Sequence, residues 1–273
     1  MSDKRFRFGV VGSPASGTDW IKTVRQAADL GYSTVLMPDG LQLPSPFPSL
    51  AMAAAVADIR VGTFVAAAPL RTPRATAWEA HTLTLLTDGR FEFGLGTGRP
   101  AVEQQVAEIG LRFGTAKERR DQVRETLDHL EKLDGDRRTP IMLAAGGPRA
   151  LALAAARADI VSLAKDAMTP RAEVAQLVQD LRELAGPRAD EIELAMNLFA
   201  AGTRELPPWT KRAAGVEPAE LEASDSLMML RGTPQQMADE LQRRRDEFGT
   251  SYISVNSTYL EDLAPVVALL AGK

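Results

Sequence analysis

Two apolar runs, Ile59 to Ala68 and Phe91 to Leu95, flank a segment in which Pro73 marks a helix start, apolar residues recur at helical spacing to Leu86, and Gly89 marks a stop. A hairpin joins antiparallel neighbours through a short turn, whereas parallel neighbours need a crossover of about a dozen or more residues. The stretch therefore predicts a parallel strand–helix–strand unit, and any fold for the chain has to contain it. Beyond the second run, Gly94-Leu95-Gly96-Thr97-Gly98 removes side chains where the strand emerges, so something can approach the main chain there.

The same unit recurs along the chain. Arg7 to Val11, Thr34 to Met37, Pro140 to Ala144, Asp159 to Leu163, Glu193 to Ala200 and Ser251 to Val255 read as further strands. Between them, helices are expected over Thr18 to Leu30, Ser49 to Ala57, Ala116 to Leu133, Pro148 to Arg157, Pro170 to Leu184, Pro234 to Phe248 and Leu260 to Leu270. Eight strands alternating with eight helices predict an α/β chain folded as one (β/α)8 TIM barrel over residues 1–273, with an open doubly wound sheet as the alternative that periodicity leaves open. Residues 203–231 break the rhythm with Pro207-Pro208, Trp209 and a run of acidic residues, and read as an inserted loop with short helices between strand seven and helix seven. Such a loop is expected to act as a lid that sets specificity.

Composition narrows the classes. A chain of 273 residues, 45% hydrophobic and 25% charged, is long enough to bury a sizeable core. A net charge of −4 with no basic stripe argues against nucleic acid. The apolar runs are interrupted well before the ~18 residues of a membrane span, and the opening MSDKRFRFGVVG lacks the apolar core of a secretory signal. Zero cysteine excludes disulfides, thiolate metal sites and cysteine nucleophiles together. A cytosolic location is the default expectation.

In a (β/α)8 barrel the active site lies at the carboxyl ends of the strands. One such end, Ala145-Gly146-Gly147-Pro148-Arg149, places glycines ahead of a helix that starts on proline, which leaves amide donors at a positive dipole end suited to a phosphate, with Arg149 adding charge. A tight strand-to-helix turn that needs small residues for steric reasons explains the same letters equally well. Gly94 to Gly98 is not the dinucleotide fingerprint, because Arg99 stands where the third glycine belongs. Proton-transfer candidates are few: Asp39 at a strand end, where aspartate before glycine is also a common turn residue, and Glu103 in a loop near the same mouth. His81 and His129 fall inside outer helices and read as structural, and no histidine–carboxylate set has metal-ligand spacing.

The segment Arg60 to Gly98 resembles the luciferase-like monooxygenase family, and within it the F420-dependent oxidoreductases. The residues that carry the likeness are Ala68-Pro69-Leu70-Arg71-Thr72-Pro73, then Thr82 to Arg90, then Phe91 to Gly98. Ala28 to Tyr32 with Pro38-Asp39, the Gly110 to Leu130 segment with Arg119 and Glu125, Ala145 to Arg149, and Gly232-Thr233-Pro234 extend it in order along the chain. The resemblance implies a barrel that holds coenzyme F420 or, alternatively, the flavin FMN at its mouth and moves hydride between the ring and a small organic substrate. A bulge after strand three, with a non-prolyl cis peptide, supports the ring in that family and maps to Val65, Ala66 and Ala67. The phosphate grip maps to Ala145, Gly146 and Gly147, with neighbouring contacts at Gly96, Thr97 and Ser162. Pairing of two copies through outer helices is implied as well. The chain departs from the family where members carry aspartate-histidine after strand two, since Asp39 is followed here by Gly40. The departure sets a second reading, a non-catalytic member that binds a flavin-like ligand or a partner, against the enzymatic one.

Overall fold

All eight expected strands form in the computed structural model, which describes residues 4–207 and 209–273. They are β1 (Arg7–Val11), β2 (Thr34–Met37), β3 (Arg60–Thr63), β4 (Phe91–Gly96), β5 (Ile141–Ala145), β6 (Ile160–Leu163), β7 (Glu193–Leu198) and β8 (Thr250–Asn256). The main helices are α1 (Gly17–Asp29), α2 (Pro46–Val56), α3 (Pro73–Leu86), α4 (Ala116–Asp134), α5 (Pro148–Arg157), α6 (Arg171–Ala185), α7 (Pro234–Phe248) and α8 (Leu260–Leu270). The fold class is the (β/α)8 barrel. Two compact units divide the chain: one is Val11–Ala28 with Thr34–Ala144, and the other holds the remaining described residues.

In the first of these units β2, β3, β4 and β5 lie side by side, each parallel to the next. Every residue of β2 and β4 is buried, which is why both segments are largely apolar and do not alternate with polar residues. The one charge inside β4, Glu92, accepts from Arg60 on β3 at 2.7 Å. α3 packs on α4, and α4 opens with a capping box in which the Thr115 and Glu118 side chains each accept from the other's main-chain amide. His81 on α3 meets Asp134 at 2.8 Å, and His129 lies 3.5 Å from Glu125 on its own helix, so both histidines take structural places.

In the other unit the hydrogen-bonded order is β1, β8, β7, β6. Arg7 grips the Glu193 carboxylate with two guanidinium nitrogens at 2.9 and 2.6 Å and lies 3.6 Å over the Tyr252 ring. Helix α7 starts as Gly232-Thr233-Pro234 predicts, with Thr233 and Gln236 forming a capping box and Pro234 in the first turn.

Three segments differ from expectation. The apolar run to Ala68 is not one unbroken strand: it stops at Thr63 and pairing resumes over Ala66–Ala67, and the Phe64–Val65 peptide is cis, where the resemblance puts a bulge with a non-prolyl cis peptide. Helix α2 starts at Pro46 instead of Ser49, because first-turn amides have no helical partner and prolines there cost nothing. The polar loop after Gly98 contains a short helix, Glu103–Glu108. The insert over 203–231 does carry short helices, Trp209–Ala214 and Pro218–Ala223, and a two-residue strand, Met229–Leu230, that pairs with Ala200–Ala201. Pro208 lies outside the described residues. Buried Arg244 ties the end of the insert down by donating to the Leu227 and Met229 carbonyls at 2.6 and 2.8 Å and to Glu240 at 2.6 Å.

Candidate functional site

At the end of β2 the Asp39 carboxylate is 3% exposed and spends both oxygens inside the protein. Oδ2 accepts the Ala67 amide at 3.0 Å and Arg71 Nη1 at 2.6 Å, while Oδ1 accepts Arg71 Nη2 at 3.2 Å. Two segments distant in sequence, the end of β2 and the stretch from Ala67 to Arg71, are thereby locked together beside the break in β3. Behind Arg71 stands Glu79 on α3, with an oxygen 3.3 Å from Nε and no hydrogen bond to that oxygen. Burial, aided by the charge on Asp39, raises the Glu79 carboxyl above its ordinary range against the pull of Arg71.

The break in β3 also explains the glycines of β4. A Cβ on Gly94 would sit 1.9 Å from the Thr63 carbonyl oxygen, and one on Gly96 would sit 2.8 Å from Val65 Cγ2. Both positions are glycine because the neighbouring main chain and Val65 occupy the space. Gly98, at φ 76°, turns the chain away beside Pro69. What this packing leaves is a shelf of small residues, Ala66, Ala67 and Ala68, all buried. Thr97 is held through its carbonyl, which accepts Arg119 Nε at 3.0 Å, and Arg119 lies 4.0 Å over the Phe113 ring. Val106 and Phe113 pack on Ala67 and Leu70 from beyond the strand. Glu103 sits exposed at the start of its short helix.

In the other unit the turn after β5 separates its two glycines. A Cβ on Gly146 would lie 1.8 Å from the Ala164 carbonyl oxygen, a steric requirement of the turn. A Cβ on Gly147 would meet nothing within 4 Å. Gly147 caps α5 without any side chain bonding the first turn, and Pro148 follows. Packing thus accounts for Gly146 but not for Gly147, whose open face adjoins the positive end of α5. Ala145 is buried, Arg149 is exposed on the first turn, and Ser162 is buried on β6. Asn197 on β7 was not singled out from sequence. Its Oδ1 accepts the Ser254 hydroxyl from β8 at 2.9 Å, and a lone amide inside the apolar run AMNLFA was the available signal. Among the described residues no group of three or more histidines and carboxylates could hold a metal, and no helix is long and apolar enough to cross a membrane.

Residues 5–205 match the luciferase-like monooxygenase family. The F420-dependent tetrahydromethanopterin reductase of Methanopyrus kandleri is similar in structure, with a TM-score of 0.76 at 18% identity over 97% of this chain and 98% of that one. So is an F420-dependent secondary alcohol dehydrogenase in complex with an F420–acetone adduct, at 0.77 and 15% over 96% and 99%. The oxygenating constituent of 3,6-diketocamphane monooxygenase from Pseudomonas putida, in complex with FMN, gives 0.72 and 16% over 97% and 95%. No curated protein sequence matches the chain. At these identities the structural likenesses show the fold.

Proposed function

The chain belongs to the luciferase-like monooxygenase family, and on that premise we propose that it is an oxidoreductase that binds coenzyme F420, with FMN the alternative, and moves hydride between it and a small organic substrate. The observation that carries this reading is Gly147, which packing does not require and which leaves open space at the start of α5. That cradle fits a phosphate: a main-chain cap without a side chain, at a positive helix end, with Arg149 on the first turn. Ala145, Gly146 and Ser162 complete this part. Val65, Ala66 and Ala67, with Gly96 and Thr97 beside them, are the residues that the family resemblance assigns to the support of the ring.

When bound, the coenzyme supplies the redox chemistry. The chain supplies binding and orientation. Asp39 fixes the shelf through the Ala67 amide, so it acts by positioning, with its carboxylate committed to Arg71. Exposed Glu103 is the carboxyl left to exchange protons with a substrate. The insert over 203–231 serves as the lid, and two copies of the chain pair through outer helices, where Trp78, Leu85 and Leu86 of α3 are exposed.

A second reading, binding without turnover, is favoured by the position after Asp39. Gly40 has the Gln42 side-chain amide within 2.8 Å of where its Cβ would be, and Asp39 has no free oxygen. Crystals soaked with F420 or FMN test the coenzyme assignment: density for a phosphate against Gly147 supports it, and a coenzyme seated elsewhere removes it.

A further inference from the structure

A cavity of about 520 Å³ opens within the unit that carries β7 and β8 and uses none of the residues assigned above. Its size falls in the range of small-molecule sites, ~300–1,000 Å³. Three cations reach it from separate segments: Lys4 ahead of β1, Arg182 on α6 and Arg245 on α7. Each donates to a main-chain oxygen, Lys4 to Glu191, Arg182 to Phe248 at 3.0 Å and Arg245 to Lys273 at 3.1 Å. Each retains further N–H donors beyond that bond, and the Arg245 guanidinium also lies 4.4 Å over the Phe6 ring. Burial depresses the Lys4 ammonium below the usual lysine range against the opposing charge of Glu193. Asp190 and Asp246 also line the cavity, so its walls carry a net single positive charge. Leu181, Ile192 and Leu194 give it an apolar side, each turning a narrow exposed edge toward it.

We propose that this cavity binds a small carboxylic acid with an aliphatic tail, its carboxylate among Lys4, Arg182 and Arg245 and its tail on Leu181, Ile192 and Leu194. One negative head matches the net charge of the walls, and the tail displaces water from apolar surface. The site is independent of the coenzyme reading and stands if that reading falls.

The test uses the full chain with octanoate, octanol and octyl phosphate as probes, followed by calorimetry. Octanoate is expected to bind at submillimolar Kd, octanol at least tenfold more weakly, and octyl phosphate no more tightly than octanoate. Arg182→Gln with Arg245→Gln should weaken octanoate at least tenfold while coenzyme titration is unchanged. Because those arginines also bond the main chain, a measurement on the wild type stands beside them: octanoate should slow acetylation of Lys4 several-fold, and octanol should not. Equal binding of octanol, tighter binding of octyl phosphate, or undiminished acetylation of Lys4 at saturating octanoate would overturn the proposal.

Discussion

Arg71 holds Asp39 through two guanidinium nitrogens, at 2.6 and 3.2 Å, and the same carboxylate accepts the Ala67 amide at 3.0 Å. One ion pair thus fixes the end of β2 to the resumed strand after the cis peptide. Removing one partner of a fully buried pair costs about 3–5 kcal/mol, but Arg71 keeps Glu79 3.3 Å from its Nε and a fifth of its side chain in water, so the cost here should be about 2 kcal/mol. Asp39→Ala should therefore lower unfolding free energy in urea by about that amount, and it should weaken coenzyme binding as the shelf loosens.

The glycines are expected to divide by cause. Gly94→Ala places a methyl where the Thr63 carbonyl oxygen already is, 1.9 Å away, and should cost more than about 3 kcal/mol or abolish folding. Gly147→Ala meets open space and should change stability by no more than about 1 kcal/mol. Thermal melts of the two variants check the contrast.

Acid should loosen the root of the insert. Burial works to raise the Glu240 carboxyl, but hydrogen bonds from Arg244 and Arg171 outweigh it and bring the group from 4.5 to about 2. A carboxyl depressed on folding binds fewer protons in the native state than in the unfolded one, so its stabilisation is present above pH about 4.5 and is lost as pH falls toward 2. Glu240→Gln should flatten the fall in melting temperature between those limits, and wild-type and variant melts across that range measure it.

Pairing of two copies has its own check. Trp78 is 66% exposed and Leu86 70% exposed on α3, an unusual cost for apolar side chains left in water. Light scattering should report twice the 29.5 kDa chain mass for the wild type, and a single chain for Trp78→Glu.

Strands and helices were legible because buried parallel strands read as unbroken apolar runs and caps such as Thr233-Pro234 carry local signals. The break at Phe64–Val65 was not legible from local letters, since FVAAA reads as continuous strand; it came through resemblance alone. The tie between Asp39 and Arg71 joins residues far apart in sequence, and no periodicity reports such a pair. The turn after β5 shows the limit most plainly. Both glycines look alike as letters, and only the position of the Ala164 carbonyl tells the one demanded by packing from the one that is not.

The most direct measurement is a fluorescence titration of the purified protein with F420 and with FMN, repeated on Gly147→Val. The account predicts micromolar binding of at least one coenzyme, weakened at least tenfold in the variant while its melting temperature holds. Binding of neither, or equal binding by wild type and variant, would contradict it.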